Sequence, residues 1–254
     1  MPYVEGAGVA LHYRSRGKGP AVVLVHGMAS DAQGWEPVSE GLAAEGRRAI
    51  ALDRRGYGDS GAPQPYAATT VQEQAEDVAA LLHALAAAPA LLVGEGFGAL
   101  VVLELLVRRP DLARAAVLSE PPLYAYVPEA TAALADERTL LEQGLRDGGP
   151  PAAIRAWLRQ EAPGAAEPRI ERAVAAAQGF FADYAGRASW SPSRGELRGI
   201  GVPVAVVTGP ASARHVVAAA EAIARLVPGA RQMRDGDVVS AALALAAGDV
   251  RGGV

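Results

Sequence analysis

The chain contains no cysteine. That absence excludes disulfides, thiolate metal sites and a cysteine nucleophile. Histidine is scarce as well: the four are His12, His26, His83 and His215, so nothing beyond residue 215 can act as a histidine base. No lysine or arginine block and no basic stripe runs through a chain of net charge -4, which argues against nucleic acid or anionic membrane as the main partner. The start, Met1-Pro2-Tyr3-Val4-Glu5-Gly6, has neither the basic n-region nor the apolar h-region of a secretory leader. A cytoplasmic location is the resulting expectation. Internal repeats and low-complexity tracts are missing too, apart from a general richness in alanine.

What is present suits one α/β domain: 254 residues, half of them hydrophobic, are enough to fill a sizeable core. Short apolar runs alternate with longer helical patterns, the order expected of a mostly parallel sheet wrapped by helices. Tyr3 to Glu5 and Val9 to Ser15 read as a hairpin. Ala21-Val22-Val23-Leu24-Val25, continuous and apolar, reads as a strand buried on both faces. Further strands are expected at 48–52, 90–93, 115–119, 204–208 and 231–234, with helices near 32–45, 70–87, 97–109, 212–226 and 238–247. Helical spacing such as Val78, Leu81, Leu82 and Leu85 lets each helix cover one face of the sheet.

Residues 123–195 break that rhythm. They hold helical stretches at about 129–146, 150–161 and 168–186, with no convincing strand between them. This segment reads as a helical cap set into a core made of 1–122 and 196–254, with a frayed tail at Gly248 to Val254. Its aromatics, Tyr124, Tyr126, Trp157, Phe180, Phe181, Tyr184 and Trp190, form mainly the cap's own core, with one or two also lining a pocket.

Several motifs follow one another in a telling order. His26-Gly27-Met28 follows the third strand, with Trp35 beyond it; Asp53-Arg54-Arg55-Gly56-Tyr57-Gly58-Asp59-Ser60 follows the next. Gly94-Glu95-Gly96-Phe97-Gly98 joins a strand to a helix, and Ser119-Glu120-Pro121-Pro122 leads into the cap. These segments resemble the oxyanion H-G-x turn, the D-x-R-G-x-G-x-S loop, the nucleophile elbow G-x-S-x-G and the cap entry of the α/β-hydrolase superfamily. The glycines of 94–98 also fit a dinucleotide fingerprint, but the turn follows a fifth strand, and no acidic residue ends a strand about 20 residues later. The resemblance covers essentially the whole chain. It implies a mostly parallel eight-stranded sheet flanked by helices, with a helical cap insertion.

The same resemblance implies three catalytic slots, and each is filled unusually. Gly96 stands at the nucleophile, Ser212 at the acid after the strand 204–208, and Asp237, or Ser240 by a slip of a few residues, at the histidine. Acyl transfer on this scaffold needs a hydroxyl, a histidine to take its proton and a carboxylate to orient that histidine. On this reading the triad is degenerate and conventional serine hydrolysis is excluded. His12 and His83 read as surface or structural residues and His26 as part of the H-G turn. His215 is the nearest substitute, although its place in the helix should aim it away from the elbow.

What should survive is a pocket with an oxyanion hole formed by the Met28 and Phe97 amides, the latter at a helix N-terminus. His26, Asp31, Glu95, Tyr124 and Trp157 are pocket candidates, with Asp237 possible at its edge and Glu95 alternatively packed away. Glu120 is the candidate acid or base, the plainer alternative being that it hydrogen-bonds backbone amides at the cap entry. The expected partner is a small apolar, carbonyl-containing molecule; no metal or cofactor is called for, and the oligomeric state is left open. Three functions are compatible: a cyclase-, lyase- or isomerase-type enzyme, an inactive binding or sensor protein, and an atypical hydrolase.

Overall fold

In a computed structural model, residues 2–234 and 236–247 are described; the tail expected to fray, 248–254, lies outside them. The strands are β1 (Tyr3–Glu5), β2 (Ala10–Arg16), β3 (Ala21–Val25), β4 (Arg48–Leu52), β5 (Ala90–Glu95), β6 (Ala113–Ser119), β7 (Val204–Thr208) and β8 (Arg231–Arg234). They form one eight-stranded sheet in the order β1-β2-β4-β3-β5-β6-β7-β8. β1 and β2 run antiparallel to their neighbours, and every pairing from β4 to β8 is parallel.

Because side chains alternate along a strand, the sheet buries two apolar faces. Val23, Val25, Leu92, Leu118 and Val206 pack beneath α2 (Val71–Ala84), α3 (Phe97–Arg108) and α8 (Arg214–Leu226). Val22, Leu24, Leu91, Val117 and Val207 pack against α1 (Glu36–Ala44) and α9 (Val238–Ala247). The expected helix at 32–45 begins as a 3-10 turn, Ala32–Trp35, because Pro37 enters one residue after α1 starts.

Between β6 and β7 the chain adds helices only. α4 (Ala130–Glu161) is broken at Gly148 and Gly149, where backbone angles leave the helical region ahead of Pro150 and Pro151; the two expected stretches are its two arms. The single helix expected over 168–186 is two, α5 (Glu167–Ala175) and α6 (Ala177–Ser189). A short α7 (Arg194–Arg198) was not anticipated, although Ser193 and Glu196 form a reciprocal capping box at its start. Among the described residues no helix is long and apolar enough to cross a membrane.

Candidate active site

The turn from β5 into α3 carries Gly96 at φ 53°, ψ −121°. An L-residue is strained there, which favours glycine. Space is not the restriction, since a Cβ on Gly96 would meet only the Gly27 Cα, at 3.6 Å. Gly98 differs: its Cβ would lie 2.2 Å from the Val25 carbonyl oxygen, so the close approach of α3 to β3 requires glycine.

The loop after β3 lies beside this turn, and a buried network fixes it. His26 is fully buried; its Nδ1 lies 2.7 Å from the Gly27 carbonyl oxygen, and its Nε2 accepts the Arg54 amide at 3.0 Å. That pattern places the ring proton on Nδ1. Burial, reinforced by the nearby Arg54 charge, holds the imidazole well below its usual pKa. Arg54 also donates to the Gly27 carbonyl at 2.9 Å. Carbonyl and following N–H point in opposite directions across a trans peptide, so anchoring the Gly27 oxygen turns the Met28 N–H away from Arg54.

A cavity of about 510 Å³ opens over this turn, bounded by the β5, β6 and β7 loops on one side and by cap helices on the other. Met28, Gly96, Phe97, Glu95, Tyr124 and Trp157 all line it, as do Glu120, Ser212 and His215. Such a place, outside the carboxyl ends of parallel strands, is where open α/β sheets bind ligands.

Glu120 sits at φ 50°, an uncommon conformation for a non-glycine residue. Its Oε1 accepts from the Ser212 hydroxyl at 2.5 Å and from the Gly209 amide at 2.9 Å. The carboxylate of Glu120 thus reaches across to the β7 loop. Ser212, the residue expected at the acid slot, donates to that carboxylate, and Glu120 bonds the β7-loop amide rather than amides at the cap entry. Burial and the nearby Glu120 raise Glu95, against the opposing pull of Arg169. Glu95 faces the cavity rather than packing away from it. His215 faces it too, edge-on to Tyr124 with ring centroids 5.3 Å apart, and burial lowers its pKa. Burial pushes the Tyr124 hydroxyl up to about 12.

Three expected residues lie elsewhere. His26 is sealed beneath the H-G turn. Asp31 lies outside this cavity, on the wall of a smaller adjoining chamber, where it caps the turn at Gly34 and pairs with Arg172 at 2.5 Å. Asp237 is exposed and caps α9 through the Ser240 amide at 2.9 Å, because a helix N-terminus directly after β8 uses its oxygen. Ser240, the other candidate for that slot, is exposed on α9.

Other residues were missed by the sequence reading. Arg169 and Arg187 enter the cavity from α5 and α6, with Glu161 from α4. Arg187 is paired with Glu137, which also accepts the Trp157 indole N–H at 2.6 Å. The lining is therefore more charged than expected. Charged residues on amphipathic cap helices read as solvated faces, so nothing in the sequence marked these.

Comparisons with known proteins agree with this architecture. The sequence profile for the alpha/beta hydrolase fold matches residues 20–144. A relative named epoxide hydrolase, from Caballeronia sordidicola, is 38% identical over 104 residues, 41% of this chain and 32% of that protein. Across this relative and four others, the chain covers between 21% and 42% of the relative's own length. Among solved structures, an alpha/beta hydrolase from Sphaerobacter thermophilus superposes with a TM-score of 0.78 at 26% identity, over 98% of this chain and 99% of that one. An enol-lactonase from Burkholderia xenovorans gives 0.75 at 24% identity, over the same shares.

Proposed function

Since the chain belongs to the α/β-hydrolase superfamily, we propose that it is a non-hydrolytic enzyme on that scaffold, acting on a small carbonyl-containing molecule held under the cap. The observation that carries this reading is Gly96. The elbow offers neither a hydroxyl nor a carboxylate where covalent catalysis on this fold needs a nucleophile. The other two slots agree with it. Ser212 donates to Glu120, and Asp237 is an exposed helix cap.

The proposed chemistry uses an electrostatic device and two of the three carboxyl groups that line the cavity, Glu120 and Glu95. Met28 and Phe97 line the cavity beside Gly96, their amides are the proposed oxyanion donors, and the N-terminus of α3 favours negative charge there. A substrate carbonyl oxygen at these amides gains negative charge as a neighbouring C–H proton leaves. Glu120, its Oε1 oriented by two donors, takes that proton. Glu95, raised by burial, gives a proton to the far carbon of the conjugated enolate that a β,γ-unsaturated carbonyl compound forms. The proton held by Glu120 returns to Glu95 through solvent, so both groups are reset. The result is an isomerisation without net oxidation or a covalent enzyme intermediate. Trp157, Tyr124 and Met28 offer apolar surface to the rest of the molecule.

Loss of a complete triad costs about 10⁶ in kcat in a subtilisin-type enzyme. The test therefore begins with a fluorophosphonate probe and p-nitrophenyl acetate. No labelling and no turnover above buffer are expected; labelling of any serine overturns the reading. Solvent deuterium entering the α-positions of a panel of ketones, and failing to do so with Glu120→Gln, supports it. Saturable binding of those ketones without exchange would point instead to a binding protein.

A further inference from the structure

The two arginines of the cavity are in different states. Arg187 is held by Glu137. The Nε of Arg169 is buried and, among the described residues, has no hydrogen-bond acceptor. Arg169 also stands at a junction. It lines both the main cavity and a side chamber of about 230 Å³ whose walls include Ser30, Glu95 and Arg172.

The neighbouring charges leave Arg169 as the cation open to a ligand. Arg172 gives its Nε to Asp31 at 2.5 Å. Glu95 shares both spaces with Arg169, and burial, with Glu120 behind it, raises that carboxyl toward the protonated form in spite of Arg169. A carboxyl disfavoured in its charged form is a weaker counterion than an exposed carboxylate. A guanidinium with an unanswered donor in a half-closed cavity is matched by a carboxylate, whose oxygens fit the planar fork and form charge-assisted hydrogen bonds.

Resting on the reading above, we infer that the ligand is an oxo acid: its carboxylate is received by Arg169 at the mouth of the side chamber, beside Ser30, while its carbonyl lies at the Gly96–Phe97 turn. This narrows a carbonyl compound to an anionic one. An uncharged ketone of the same shape would fill the cavity but leave the Arg169 Nε unanswered, and leaving a buried donor unpaired is where polar sites gain their discrimination.

The test uses isothermal titration of the full chain with 4-oxopentanoate and 5-oxohexanoate against their methyl esters, which keep the ketone and lose the charge. Each acid should bind about 10- to 100-fold more tightly than its ester. Arg169→Gln should bring the acids down to the level of the esters and leave the esters unchanged, and Arg169→Lys should recover part of the preference. Thermal unfolding checks that the variants are folded; should Arg169→Gln fail to fold, Arg169→Lys carries the comparison through a reduced preference. If the esters bind as well as the acids, or Arg169→Gln keeps the preference, the inference fails while the carbonyl reading stands. If neither acids nor esters bind, both fail.

Discussion

Arg54 and Asp183 form an ion pair at 2.7 Å with both side chains out of solvent, and it ties the loop after β4 to α6 of the cap. Asp183 also accepts from the Tyr57 hydroxyl at 2.7 Å and from the Gln74 amide at 2.8 Å. Because the same Arg54 anchors the Gly27 carbonyl, the cap is connected to the orientation of the Met28 amide. Asp183→Ala leaves a buried guanidinium without its counterion, which should cost about 3–5 kcal/mol. Urea unfolding measures this, and a loss below about 1 kcal/mol would show that the network is incidental.

Asp183 gave no sign in the sequence, and its case shows where legibility ended. The strands at Ala21–Val25, Arg48–Leu52, Val204–Thr208 and Arg231–Arg234 match the sequence reading residue for residue. Continuous apolar runs and short motifs are local signals, so the sheet, the H-G turn and the elbow could be read directly. The cavity depends on which face of a cap helix meets the core. Long-range approach decides that, which is why Glu161, Arg169 and Arg187 came into view only in three dimensions and Asp31 and Asp237 moved out of the main cavity. Ser193 with Glu196 is different: its capping-box spacing was visible and would have located α7.

Acid should destabilise the fold through His26. Its folded pKa lies well below 6.5, so below about pH 6.5 the unfolded chain binds the proton that the folded chain refuses. Stability then falls as pH falls, approaching a slope of about 1.4 kcal/mol per pH unit for this one buried group. His215, lowered by burial but partly exposed, adds in the same direction to a smaller extent. Glu95, raised in the folded state, has the opposite sign and becomes more favourable as pH drops toward 4.5. Urea unfolding at pH 7.5, 6.5 and 5.5 checks the slope; a flat profile would mean that His26 is not kept neutral.

Ser212 should matter as a donor and not as a nucleophile. Ser212→Ala removes the hydroxyl bonded to Glu120 at 2.5 Å, while the Gly209 amide still holds that carboxylate. The expected cost is about 1 kcal/mol, seen in denaturant unfolding. Reactivity toward a fluorophosphonate should be absent before and after the change, and labelling that disappears in the variant would make Ser212 the reactive serine.

Gly98→Ala is predicted to be severe. The added methyl would sit 2.2 Å from the Val25 oxygen and 2.6 Å from the His26 oxygen, both backbone atoms of the loop that carries Met28. Neither can move without parting α3 from β3. A loss of about 3 kcal/mol or more is expected, together with disturbance of the cavity; unfolding within about 0.5 kcal/mol of the parent would contradict the packing of this turn.

Gly96→Ser, two residues earlier, separates the two demands on the turn. Its Cβ has room, since the nearest heavy atom is the Gly27 Cα at 3.6 Å, but φ 53° is kept and strains any side-chain-bearing residue. The cost should therefore be about 1–3 kcal/mol, smaller than at Gly98 and arising from the backbone. The added hydroxyl supplies a nucleophile without a base: His26 is sealed in its network, His215 packs against Tyr124, and no histidine follows residue 215. Turnover of p-nitrophenyl acetate by the variant should stay at the level of buffer. A burst of p-nitrophenol followed by steady turnover would mean that some group in the cavity deprotonates a serine at position 96. His215, the one histidine that lines the cavity, would be the first to replace in a double variant, and loss of the burst there would identify the base.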